Sequence, residues 1–578
     1  MSESIDQGRI IHNVNQYLER NGFSIRFDEG GVCQGLAMMH AKYCMEGREA
    51  DFWGLLKNIS HPSSDSALEN AHIFITQVLL AFAANQYNQN ISQDNSFSML
   101  RLESGGESKA FLPAFSFALV ADDRNWANCL REIALDDNEI AQVSSIDHAI
   151  TISKKNGQYH VYDPEYPTGI KSFSTESEVI NELHKRVFSY ETANMGLQLH
   201  LFRKPDVNPR QYPAVTDLYD RYLPNVNATA TVRGNSFSTL RAAASINFDP
   251  KVTEYLLRQG ADDSRNAAKM AINANNTEAL SVLLTTLPGD QSDLLIFALT
   301  SGKEAAFDLL MENEANVNLF KRGYGSMLFF AAEGGNGLLL KKCLEITKNE
   351  IQRYYEKAPP DIKEKLINEQ LCRCLSNVEQ GREVNVLSNA IKSGDSEAFT
   401  LIWNELKSAG YKFQPQDNMN YLVAAIQNNN ALVVSKLLNE IPRQLLETAT
   451  LSQNALKRVN NDILIELKEH GVSVPSLPSK TESIFSRIFL SFLKKIFGAK
   501  EQLANDITVT WDRQLEVKST FSPAKSQDFK QQLLEMRKED SLAKDASKNN
   551  FKEQLIKMKD SATTESTPQV ITSPKMSV

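Results

Sequence analysis

The sequence predicts an α+β N-terminal domain, then an all-α repeat solenoid, then a disordered C-terminal tail, and three observations carry that prediction. The chain has 578 residues, well beyond the roughly 250 at which one hydrophobic core stops growing. Its texture changes near residue 205. Before that point helical periodicity mixes with β-rich stretches (HAITIS, YHVYD, LQLHLF), and after it short paired helices recur every 27 to 35 residues. Beyond residue 500 the chain is polar and low in aromatics, as disordered segments are. The expected boundaries are 1–205, a linker at 206–237, repeats at 238–475, an amphipathic basic helix at 476–500, and a tail at 501–578.

Within residues 1–205 the apolar runs 73–84 and 111–121 are too short to span a bilayer, and both read as buried helices. Cys33 follows two glycines in DEGGVCQGLAMMHAKYC and precedes an apolar-periodic run, so a loop should deliver it to the first turn of a helix. There the helix dipole favours thiolate. The partner base is expected at His148, in IDHAITISKKNGQYHVYDPEY. Asn156-Gly157 between two alternating stretches signals a two-residue hairpin turn. In that register every cross-strand pair sums to 313, Ile150 opposes Asp163, His148 opposes Glu165, and His148 and Asp163 become diagonal neighbours on one face. His160 pairs with Ser153 and faces away. Cysteine, histidine and aspartate so arranged supply a nucleophile, a proton carrier and an orienting carboxylate. The competing reading of Cys33 is a buried structural cysteine.

These residues resemble the papain-like fold, specifically the YopT-like family of secreted bacterial cysteine proteases. The matching pieces are Gly31, Cys33, Gly35 and Leu36, then His148 and Ala149, then Asp163 and Pro164. The resemblance implies a catalytic Cys33, His148 and Asp163. It departs at one point. The family places an Asn or Gln five or six residues before the cysteine to stabilise the oxyanion, and here those positions hold Asp28 and Phe27. A carboxylate would repel an oxyanion, so the Cys33 backbone N–H and Gln34 become the expected donors, or turnover is weak or absent.

The segment after residue 203, rich in Pro, Asn and Thr, is expected to be a linker or a docking loop. The helix pairs that follow start at 239, 267, 294, 326, 386 and 421, with a degenerate last copy at 455–472 and an insertion at 345–385. They resemble ankyrin repeats, best at Gly260, Ala261 and Asp262 and at Ala315, Asn316, Val317 and Asn318. The family's Thr-Pro-Leu-His opening survives only as Ser238, Thr239, Leu240 and Arg241. An α-solenoid of another repeat family is the alternative. The resemblance implies a protein partner.

Residues 484–498 place Phe485, Phe489 and Phe492 within an apolar arc of about 240° on a helix, with Arg487, Lys494 and Lys495 in the remainder. Two readings stand: a peripheral helix on anionic membrane, or a cap on the open end of the solenoid. The tail repeats FKQQLLEMRKED and FKEQLIKMKD, which are either partner-binding helices or a duplication without function.

A net charge of −9 argues against non-specific nucleic-acid binding, and residues 476–578 nevertheless carry a net +4. Six scattered cysteines show no disulfide framework and fit a reducing compartment. Cys44, Cys129 and Cys343 read as core. Cys372 and Cys374 lack a nearby histidine for zinc. His40, His61, His72 and His184 read as ordinary helix or surface residues without matching partners. No metal or cofactor is expected. The N-terminus has no secretory signal pattern. A YopT-like domain joined to ankyrin-like repeats and a polar tail resembles the effectors that intracellular bacteria deliver into host cytoplasm by type IV secretion. The expected function is cleavage of a host protein. The alternatives are an inactive protease-fold scaffold whose repeats bind a host protein, and acyl transfer by the same triad.

Overall fold

The computed structural model describes residues 5–20, 26–28, 30–87, 91–312, 324–376, 384–448, 456, 459 and 461–474. The expected helix at 476–500, with Phe485, Arg487, Phe489, Phe492, Lys494 and Lys495, lies outside the described residues, as do the two FKxQL elements and the ankyrin-like match at Ala315, Asn316, Val317 and Asn318.

The N-terminal region is mixed α+β. Six helices come first: α1 (Gln7–Arg20), α2 (Cys33–Met45), α3 (Glu49–Ser60), α4 (Asp65–Asn70), α5 (His72–Phe82) and α6 (Ala84–Tyr87). A small hairpin, β1 (Arg101–Ser104) and β2 (Glu107–Ala110), leads to β3 (Phe115–Asp122), α7 (Asp123–Ile133), β4 (Glu139–Ser144), β5 (Ala149–Lys155), β6 (Gln158–Tyr162), β7 (Ile170–Phe173), α8 (Glu176–Glu182) and β8 (Asn194–Arg203). Six of these strands form one antiparallel sheet in the order β3-β8-β4-β5-β6-β7.

The run 73–84 folds as the buried helix α5, as its composition predicts. The run 111–121 does not: it supplies the strand β3. A continuous apolar run of this length suits a buried helix or a doubly covered strand equally, and pairing along all of β3 with β8 decides for the strand.

Helix α2 is buried from Gln34 to Tyr43, which suits a helix that is apolar on nearly every side. Beneath it runs a cross-strand row of polar residues in register: Ser116, His200, Gln142, Thr151 and Tyr162. The opposite face carries Ala141, Val143, Ile150 and Ile152, which join Trp126, Leu130 and Val179 in the main core. Close packing of α2 on α5 requires Gly35. A Cβ there would lie 2.6 Å from the Val78 carbonyl oxygen.

Residues 206–237 are built into the fold rather than forming a free linker. They contain α9 (Val215–Tyr222) and a hairpin of β9 (Thr229–Val232) and β10 (Asn235–Ser238). The Tyr219 hydroxyl donates to the Ala118 carbonyl at 3.0 Å, and the Phe237 ring sits where a Cβ on Gly196 would be. Prolines shaped the expectation of a loop, but the apolar residues between them are buried against the sheet.

From Thr239 onward the described chain is helical. The pairs are Thr239–Ile246 with Pro250–Arg258, Ser264–Ala274 with Thr277–Thr286, Ser292–Thr300 with Glu304–Glu312, Tyr324–Glu333 with Gly337–Tyr354, Val386–Lys392 with Ser396–Ser408, and Pro415–Gln427 with Ala431–Leu438. The described part of the insertion holds the end of the long helix Gly337–Tyr354 and an added helix, Pro360–Ser376. Asparagines that cap second helices also bind the preceding pair: Asn276 Nδ2 donates to the Asn247 carbonyl at 2.7 Å, Asn336 to Gly302 at 2.8 Å and Asn430 to Gly394 at 3.2 Å. One residue type thus satisfies a helix start and ties neighbours together.

The first pair docks directly on the sheet. Thr239 Oγ1 accepts from the Val120 N–H at 2.9 Å, and Gln198 Nε2 donates to the Ala242 carbonyl at 3.3 Å. The exposed edge of β3 is thereby covered, which removes a site for unwanted strand pairing.

Candidate active site

The hairpin that positions the histidine is the predicted one. Asn156 and Gly157 have φ of 52° and 80°, and the ladder pairs Lys155 with Gln158, Ser153 with His160 and Thr151 with Tyr162. Both turn residues need the left-handed region that Asn and Gly tolerate. The ladder ends at Thr151–Tyr162, so the expected pairs Ile150–Asp163 and His148–Glu165 do not form. Asp163 instead begins a turn: its N–H donates to the Gly169 carbonyl at 3.1 Å, and its carbonyl accepts from Tyr166 at 3.0 Å.

That turn aims the carboxylate at the ring. His148 Nε2 lies 2.9 Å from Asp163 Oδ1, which also accepts from the Glu165 N–H at 2.9 Å. Asp163 is 2% and His148 9% exposed, so the pair is shielded from water. Phe188 meets the imidazole edge to face, with ring centroids 6.0 Å apart.

Cys33 is the first residue of α2, half-buried at the helix N-terminus. Val32, at the cap position, makes no side-chain bond there, and the first-turn N–H groups have no intrahelical acceptor. Cys33 stands close enough to His148 to bear on its titration. Burial pulls the imidazole towards neutrality, but hydrogen bonds to Asp163 and Cys33, with the charge on both, outweigh it and push the pKa up to about 10. With Nε2 taken by Asp163, Nδ1 is the nitrogen left for the sulfur. The structure therefore brings Cys33, His148 and Asp163 together, and it turns His160 away to Ser172.

Gln34 sits elsewhere in function. Its Nε2 donates to the Gln93 carbonyl at 3.1 Å and its Oε1 accepts from Gln142 at 2.9 Å, so its amide links α2 to the polar row of the sheet. The expectation of Gln34 as an oxyanion donor is corrected accordingly: residue N2 of this helix points its side chain inward, not towards the thiol. Asp28 folds back on its own turn, where its Oδ1 accepts from the Gly30 N–H at 2.8 Å. The amide near the cysteine loop comes from Gln7. Its Oε1 accepts from the Val32 N–H at 2.9 Å, and both amide atoms flank Gly31. Nothing in the spacing pointed to Gln7, which is brought close only by the packing of α1.

All four histidines read as ordinary have partners: His61 Nε2 lies 2.6 Å from Arg9 Nη1, and His72 Nδ1 lies 2.6 Å from the Glu69 carbonyl. His184 Nδ1 pairs with Asp123, and its Nε2 lies 2.9 Å from the Thr192 carbonyl. His40 is buried and stands against Thr151, Cys44 and Glu49. Among the described residues, this last group is the one that combines metal-ligating types at close range.

Neither a scan against protein-family models nor a search of curated proteins finds a match for this chain.

Proposed function

We propose that the N-terminal domain is a papain-like cysteine peptidase in which Cys33 is the nucleophile, His148 the proton carrier and Asp163 the orienting carboxylate. The observation that carries it is the buried His148–Asp163 contact at 2.9 Å, at a ring whose charged form Cys33 also favours. The Cys33 sulfur attacks a peptide carbonyl carbon, and the carbonyl electron pair moves to oxygen. The oxyanion is received by the Cys33 backbone N–H and the Gln7 amide. As the C–N bond breaks, His148 gives its proton to the leaving amine. A thioester remains. Neutral His148 then takes a proton from water, hydroxide attacks the thioester, and the acid leaves as the thiolate and imidazolium are restored.

The helix pairs support an ankyrin-like array that selects the protein substrate, and the whole chain fits an effector delivered into a host cell. The folded-back Asp28 and the nearby Gln7 favour an active enzyme over an inert scaffold. The test is to incubate cell lysate with the protein and with Cys33→Ala, then map new N-termini. Cleavages that appear only with the unsubstituted protein support a peptidase. Identical maps contradict it.

A further inference from the structure

We propose that His40, Cys44 and Glu49 form a binding site for one zinc-class divalent cation, behind the candidate active site and separate from it. The three residues come from a ten-residue stretch. His40 and Cys44 lie one turn apart on α2, so they share a face. Gly47, with φ of 70°, turns the chain so that Glu49 opens α3 beside them.

The distances suit coordination. His40 Nε2 lies 3.5 Å from Cys44 Sγ and 3.8 Å from Glu49 Oε1, and all three ligand atoms lie within 4.8 Å of one another. Tetrahedral zinc with ordinary Zn–N, Zn–O and Zn–S bond lengths spaces its ligand atoms by about 3.4–3.6 Å, so small side-chain shifts would close the site. A nitrogen, a thiolate and a carboxylate together favour Zn²⁺ or Co²⁺ over Mg²⁺ or Ca²⁺. Glu49 and Cys44 thiolate would balance the two positive charges. The thiol proton leaves to solvent when the metal–sulfur bond forms.

The surroundings hold the ring as metal ligands are held. His40 Nδ1 lies 2.6 Å from Thr151 Oγ1, which occupies that nitrogen and leaves Nε2 for the metal. Tyr162 stacks on the imidazole with centroids 4.4 Å apart, and Phe52 meets it edge-on at 5.1 Å. Lys155 pairs with the other Glu49 oxygen, Oε2, so the carboxylate ligates through Oε1 alone and water fills the fourth position. The Glu49 side chain is 27% exposed, which leaves a path for the ion. A metal here would join α3 to α2 and fix the ring that backs Tyr162, the neighbour of Asp163.

Cobalt provides the test because a cobalt–thiolate bond has its own charge-transfer absorption. The full-length Cys33→Ala protein is titrated with Co²⁺, which removes the active-site thiol as a ligand. One equivalent should bind with the thiolate band, Zn²⁺ should displace it, and Cys33→Ala/Cys44→Ala should lose the band. Glu49→Gln in the Cys33→Ala background should keep the band and bind at least tenfold more weakly. No band in Cys33→Ala, or an undiminished band without Cys44, overturns the proposal. If the Cys44 variant fails to fold, unchanged Co²⁺ affinity in the Glu49→Gln protein overturns it equally.

Discussion

At His148 two effects oppose each other: burial favours the neutral ring, while the Asp163 carboxylate and the Cys33 sulfur favour the imidazolium, and the latter win. The ring should therefore titrate near pH 10 rather than at its ordinary 6.5, which a pH series of its NMR resonances measures. Asp163→Asn and Cys33→Ala should each lower the midpoint, and a midpoint near 6.5 in the unsubstituted protein would contradict this. Because the folded value is raised, the ring's contribution to stability is complete below about 6.5 and is lost as pH rises through about 10. The stability gap between the protein and His148→Ala should accordingly shrink across that window in denaturant titrations. If the Gln7 amide receives the oxyanion, Gln7→Ala should lower kcat about 10²–10³-fold with little change in KM, whereas a purely structural Gln7 would lower the melting temperature and leave kcat of the folded fraction intact.

Among the elements, α2 matters most because it carries the thiol at its start and depends on Gly35 for its seat. Gly35→Ala would drive a Cβ to 2.6 Å from the Val78 carbonyl and 2.9 Å from the Val78 side chain. Overpacking of this kind costs about 1–3 kcal/mol, so its denaturant midpoint should fall clearly. Gly54→Ala in α3 meets nothing within 4 Å and should be neutral or slightly stabilising. Equal effects of the two would contradict the packing described. The Asn156-Gly157 turn specifies local backbone geometry, so the pairing of β5 with β6 and the meeting of His148 with Asp163 were legible. The strand β3 was not, because an apolar run buried on both faces has no period to read. Gln7, Gln34 and His40 were misread or missed because their partners lie on other elements, and only packing sets those distances.

Across the whole molecule, the described residues belong to one compact unit that extends from the N-terminal domain into the helix pairs. The first pair covers the edge of β3, and the segment 206–237 packs on the same flank. A chain ending at residue 205 should therefore expose the edge strand and aggregate, while one ending after Thr286 should remain soluble, as sedimentation would reveal. Stable monomeric behaviour of the shorter chain would contradict a fused architecture. The proposed chemistry depends on Cys33 being an activated thiol supported by His148. Its most direct test is the rate at which a thiol-directed electrophile labels Cys33 at neutral pH, followed by intact and peptide mass spectrometry. Labelling should be fastest at Cys33 among the six cysteines and should slow at least tenfold in His148→Ala; an unchanged rate in that variant would contradict the proposed site.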